Sequence, residues 1–204
     1  YDVVLCHWDS VDAPTPDNRS DAELIDAINA DDLDAFEALY YRYRDRVVRL
    51  ARRFTGHDED ALDVLQETFA YLHRKFPGFT LTARLTTFLY PVVKNLAIAV
   101  GQKRGRFAGD EEALDAVPAP DPADPDLGEL AAVLSILPPT HRETLLMRYV
   151  DGMSLEEISI ALRIPVGTVK SRIHNALEML RRNASTRDFF LGPAPMNQSG
   201  GPDT

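Results

Sequence analysis

Cysteine is almost missing from this chain: Cys6 is the single one among 204 residues. A lone thiol closes no internal disulfide and builds no Cys-rich zinc site, so a reducing compartment such as the cytoplasm is expected. No apolar run approaches the roughly 18 residues that would span a bilayer, which excludes membrane insertion. The N-terminal Tyr-Asp-Val-Val-Leu-Cys stretch has neither a basic n-region nor a long apolar core, so it does not read as a signal peptide. P-loop, G-x-G-x-x-G, H-E-x-x-H and G-x-S-x-G motifs are all lacking, and His7, His57, His73, His141 and His174 are scattered. The sequence therefore reads as no enzyme, with no cofactor and no metal. Strand-like alternation is lacking too.

What is present is ordinary in amount and unusual in placement. Apolar residues make up 45 % and charged residues 26 %, enough for one or two soluble domains. The net charge of −10 argues at first against a nucleic-acid partner. Its distribution reverses that. Residues 1–34 carry net −9 and residues 106–129 net −7, whereas 35–105 carry +5 and 130–204 carry +1. The acid is confined to a leading arm and a middle segment.

Helical periods fill the rest. Residues 1–19, with Pro14 and Pro16, read as a disordered acidic arm. Ser20-Asp-Ala-Glu23 is a capping box for a short helix. A second helix starts near Asp32 and places Phe36, Leu39, Tyr40, Tyr43, Val47, Leu50, Ala51 and Phe54 on one stripe, ended by Gly56. The acids 58–60 open a third helix, whose core set is Ala61, Leu62, Leu65, Phe69, Leu72 and Phe76. Pro77-Gly78 breaks it, and a fourth covers roughly 86–104 with Pro91 inside. Residues 107–126 hold Pro118, Pro120, Pro122 and Pro125 among acids and form a flexible linker. Helical pattern resumes over 127–137. A helix follows Pro138-Pro139, then a capping box at Ser154–Glu157, a turn and a last helix to Arg182. The tail 183–204 reads as disordered. The expected architecture is all-α: a helical domain over 20–106 and a smaller one over 127–182.

The last two helices have helix-turn-helix spacing. With Val169, Ile173, Ala176, Leu177 and Leu180 buried, the second would turn Thr168, Lys170, Ser171, Arg172, His174 and Asn175 outward near its N-terminus. That is the end that enters the major groove in DNA-reading helices. Arg and Lys suit guanine edges, Asn suits adenine, and Thr168 and Ser171 suit phosphates. The same spacing also fits an αα-hairpin with a solvated face. Arg42, Arg46, Arg49 and Arg53 line the second helix at i, i+4, i+7 and i+11. Phosphate contact, a protein partner, pairing with the acidic segments and plain solvation all remain open for them.

The run Leu137–Arg182, with Gly167-Thr-Val-Lys-Ser-Arg172 at its centre, resembles region 4 of bacterial sigma-70-type factors, nearest the extracytoplasmic-function (ECF) group. Asp60-Ala-Leu-Asp-Val-Leu-Gln-Glu-Thr-Phe69 resembles region 2 of the same family. The resemblance implies a transcription initiation factor that binds core RNA polymerase and directs it to promoters. Asp63, Gln66 and Glu67 would meet the β′ clamp. The segment Phe88–Ile98 would read and melt the −10 element, through Phe88, Tyr90, Lys94, Asn95, Lys103 and Arg104, with a flipped base lodged by the loop Pro77–Arg84. Region 4 would read the −35 element and sit on the β flap. Phe88 stands where the family commonly has Trp, and Pro91 where it has a basic or polar residue. An anti-sigma factor is the implied inhibitor. The alternative is a stand-alone helix-turn-helix regulator that binds DNA without polymerase.

Overall fold

The computed structural model describes residues 17–103 and 133–183. Residues 1–16 of the expected arm, the whole 107–126 linker, the helical pattern over 127–132, Arg104 and the tail beyond Asn183 lie outside them. Regular structure among the described residues is helical, with no strand. The chain divides into two compact units, whose main boundary falls between Ala116 and Val117.

The first unit holds α1 (Asp21–Asn29), α2 (Leu33–Thr55), α3 (Asp58–His73) and α4 (Leu85–Lys103). The predicted capping box opens α1: Ser20 Oγ accepts the Glu23 amide, and the Glu23 carboxylate accepts the Ser20 amide at 2.7 Å. Asp32 caps α2 by accepting the Ala35 amide. Gly56 ends α2 at φ 69, a left-handed turn that costs glycine nothing. α2 packs on α1, α3 and α4, and α3 packs on α4. Leu24, Leu39, Val47, Val64, Leu72, Leu85 and Val93 fill the centre. Full burial of such a side chain stabilises by about 1.5–3 kcal/mol.

Two expectations shift here. Leu62, assigned to the core by its period, is 50 % exposed, and Val64 turns inward in its place. Asp17–Arg19, expected to belong to the loose arm, are fastened. Arg19 pairs with Asp17 and Asp32, and the Arg42 guanidinium donates to Asp21 and to the carbonyls of Asp17 and Arg19. Tyr43 donates to Asp21, and burial first, then this bond, raises its phenol above the ordinary range. Arg42, one of the four stripe arginines, is therefore committed to the chain's own N-terminal segment.

The second unit holds α5 (Pro139–Tyr149), most of α6 (Leu155–Leu162) and α7 (Val166–Arg182). Pro139 occupies the first turn of α5, where its missing N–H is harmless. The Ser154–Glu157 box forms as expected: the Ser154 amide donates to Glu157 at 2.7 Å, and the Glu157 amide donates to Ser154 Oγ at 3.1 Å. The turn into α7 spans Arg163–Pro165. It is closed by the Ile164 amide donating to the Ser159 carbonyl and Ser159 Oγ donating back to the Ile164 carbonyl, with Arg163 at φ 54. α5 packs against α7, and Met147, Ile158, Val169 and Ala176 are buried.

Candidate functional site

α7 presents its polar residues much as its period requires. Val169, Ile173, Ala176 and Leu180 are buried on one stripe. Lys170, Ser171, His174 and Asn175 are exposed, and Thr168 and Arg172 are half-buried. Leu177 is half-buried, so the stripe is narrower than expected. Pro165 precedes the helix and no side chain caps its start, which leaves the positive end of the helix dipole available to an anion. Ser171 Oγ donates to the Thr168 carbonyl at 3.0 Å. Arg172 lies close enough to His141 on α5 to act on its charge. Burial first, then Arg172, depresses the His141 pKa and favours the neutral ring. Arg181 and Arg182 both pair with Glu178, a local use of their charge.

α3 places Asp63, Gln66 and Glu67 on one exposed face, because i, i+3 and i+4 fall together on a helix. Thr68, Phe69 and Leu72 turn to the core behind them. Exposed Leu62 borders this face. It lines a groove of about 430 Å³ with Leu65 and, from α2, Tyr40, Arg44, Asp45, Val48 and Arg49. An acidic and amide row beside an apolar groove with two arginines is a surface that a partner helix can cover. The sequence had named the row and missed Leu62, which sits at the edge of its apolar stripe.

α4 sorts the remaining candidates by face. Phe88 is half-buried, Asn95 and Lys103 are exposed, and these share one side of the helix. Tyr90 does not join them. It is 3 % exposed, and its ring meets Phe54 edge-on at 6.2 Å. Two residues turn a helix by about 200°, so Tyr90 points into the core where Phe88 points out. Tyr90 is corrected from a DNA contact to a packing residue. Lys94 leans back over the Phe54 ring at 6.0 Å, a partial cation–π contact that leaves it at the margin of the face. Pro91 removes one helical donor, opposite the Thr87 carbonyl, and the helix runs on through it.

Phe88 has company the sequence did not reveal. Its ring lies 5.0 Å from Phe79 in the α3–α4 loop and stacks at 6.3 Å on Tyr71. Phe79 continues to Phe76 at 5.5 Å, and Phe76 to Phe36 at 6.4 Å. Lys75 Nζ sits 4.7 Å above the Tyr71 ring. An aromatic row thus runs from α2 across the loop to the exposed face of α4, with a cation beside it. Aromatic faces next to cations are what unpaired bases stack on. Tyr71 and Lys75 lay in plain view at the end of α3, but their helical period gave no reason to prefer them over other surface residues.

No helix of the described residues is long and apolar enough to cross a membrane.

Comparison with known proteins agrees at both ends of the chain. The sigma-70 region 2 profile matches residues 39–107, and the sigma-70, region 4 profile matches residues 127–180. The ECF RNA polymerase sigma factor SigE of Mycolicibacterium smegmatis is 35 % identical over 156 residues, which are 72 % of this chain and 60 % of that relative. SigW of Bacillus subtilis, also an ECF RNA polymerase sigma factor, is 31 % identical over 174 residues, 78 % of this chain and 93 % of the relative. Among solved structures, CnrH in complex with the cytosolic domain of CnrY shares the fold with a TM-score of 0.60 at 21 % identity, covering 85 % of this chain and 99 % of that one. The sigma factor RpoE of Bartonella quintana, solved with the anti-sigma factor NepR, does so with a TM-score of 0.56 at 20 % identity, covering 79 % of this chain and 100 % of that one.

Proposed function

This chain belongs to the ECF group of the sigma-70 family, and on that premise we propose that it is a transcription initiation factor whose two units divide promoter recognition between them. It binds core RNA polymerase and directs it to specific promoters. The polymerase supplies the chemistry; members of this family are initiation factors, not known enzymes. The work is done on the polymerase, in the cytoplasm.

The observation that carries this reading is the exposed Asp63, Gln66 and Glu67 row beside Leu62 and its groove. A regulator that needs only DNA has no use for such a docking face in a separate unit. In our reading the row meets the β′ clamp of core polymerase. Phe88, Asn95 and Lys103, with Lys94 at the margin and Arg104 beyond the described residues, meet the −10 element as it melts. Phe88, flanked by Phe79 and Tyr71, offers the stacking face for an unpaired base, which is worth about 1–3 kcal/mol per base. The loop Pro77–Arg84 lodges a flipped base. Lys170, Ser171, Arg172, His174, Asn175 and Thr168 face the −35 duplex, and the second unit also rests on the β flap. The domains are 20–106 and 127–182, joined by the acidic 107–126 tether. An anti-sigma factor restrains the protein, in keeping with the partner seen with RpoE of Bartonella quintana.

The test is a pull-down of purified bacterial core RNA polymerase with the wild type and with Asp63/Gln66/Glu67→Ala, followed by run-off transcription from pooled genomic promoters. Core binding that the triple variant loses, with discrete transcripts from the wild type, is the expected result. Specific duplex binding by the free protein with no core binding would make it a stand-alone regulator instead.

A further inference from the structure

We infer that Asn29, the last residue of α1, is a positioning residue for the base-reading loop, and that α1 is the strut that carries it. The inference rests on the reading of the α3–α4 loop and Phe88 as the −10 contact, and it goes further by naming what holds them.

The hold has three points. Asn29 Oδ1 accepts the amides of Gly78 at 2.6 Å and Phe79 at 3.2 Å, and its Nδ2 donates to the Phe79 carbonyl at 2.8 Å. Both ends of one carboxamide are used, on residues about 50 positions away in sequence. The loop needs such a partner. Gly78 stands at φ 97, a conformation outside any regular element, so no neighbouring turn of helix is there to take its amide. Phe79 is gripped through both its N–H and its C=O, which fixes the backbone from which its ring projects. That ring is the one packed against Phe88 at 5.0 Å and Phe76 at 5.5 Å. The path from α1 to the exposed face of α4 is therefore short: Asn29, Phe79, Phe88.

A strut must be fixed at its other end, and α1 is. Asp21 in its first turn takes Arg42 at 2.9 Å and also Tyr43, both from α2. Leu24, Ile25 and Ile28 are buried beneath it. All of α1 lies before residue 39, where the region 2 match begins, so the brace comes from chain outside the matched segment. The physical benefit is preorganisation. A loop that must receive a base loses affinity if it has to be ordered at that moment, and a loop already held does not.

The experiment uses the full chain with Asn29→Ala and Asn29→Asp. Asn29→Asp keeps both acceptor bonds but turns an acceptor oxygen toward the Phe79 carbonyl in place of the donor, so it holds the fold while weakening the grip. In the free proteins, hydrogen exchange at the Gly78 and Phe79 amides should speed up in Asn29→Ala, while amides of α2 and α3 keep their protection. In holoenzyme on a promoter the wild type opens, permanganate footprinting of −10 thymines should show opening reduced about tenfold for Asn29→Ala and less for Asn29→Asp. Core binding and −35 duplex binding should match the wild type in both, and discrimination among −10 base substitutions should weaken. Unchanged exchange at Gly78 and Phe79, or unchanged opening and −10 selectivity by a working holoenzyme, overturns the bracing role. A wild type that neither binds core nor opens DNA overturns the function beneath it, and is told apart because the wild type itself then fails.

Discussion

Tyr90 and Phe88 stand two positions apart on α4, and that spacing gives them different work. Tyr90→Ala removes a buried ring from against Phe54 and should cost about 3–5 kcal/mol, read as a lowered thermal midpoint by circular dichroism. Phe88→Ala, half-buried, should cost about 1 kcal/mol of stability and appear mainly as lost −10 opening. Equal stability losses in the two variants would contradict the assignment. His141 makes a second prediction. Burial and then Arg172 lower its pKa in the folded protein. Above about pH 6.5 the ring is neutral in both states and its contribution to stability is present. That contribution is lost as the pH falls toward the depressed folded value, because the unfolded chain takes up the proton first. Arg172→Gln should move the NMR titration of His141 upward, part of the way to the ordinary value, since burial remains.

At the scale of the element, two termini carry measurable weight. Gly56 closes α2 in a left-handed turn with open space where a Cβ would stand. Gly56→Ala should therefore cost about 1 kcal/mol through backbone strain alone, measured by urea unfolding. On α7, Lys170→Ala should weaken −35 duplex binding evenly across sequences and flatten its salt dependence by about one charge. How far these elements could be foreseen depended on distance along the chain. Both capping boxes were legible because donor and acceptor lie three residues apart. Gly56 and the Pro138-Pro139 start were legible because each residue's backbone chemistry punctuates a helix. The face of α4 was not, because Leu85–Lys103 is apolar nearly all round and its period chooses no side. That is why Tyr90 was misplaced. The Asn29 contacts and the Phe79–Phe88 pair were not legible either, since nothing local marks partners brought together by the fold.

For the molecule as a whole, the uneven charge has acquired partial structure. One arginine of the α2 stripe, Arg42, is taken by the chain's own Asp21 and backbone, while Arg44 and Arg49 line the groove beside Leu62. If a polymerase helix covers that groove, Leu62→Asp should abolish core pull-down and leave the unfolding free energy within about 0.5 kcal/mol of wild type, because the side chain is half exposed already. A large loss of stability instead would return Leu62 to the core. The family was readable from motifs at both ends of the chain. The groove beside Leu62 was not, because it is made by two helices together.

The fastening of Asp17–Arg19 onto α2 also bears on how this protein is handled at the bench. Residues 17–19 should resist a protease, although composition alone suggests free digestion there. A tag or fusion joined at Ser20 would discard the carbonyls that Arg42 grips and the guanidinium that ties Asp32. α1 would then sit less firmly, Asn29 with it, and the defect would surface far from the cut, as sloppy choice of −10 sequence in an otherwise well-folded, polymerase-binding preparation.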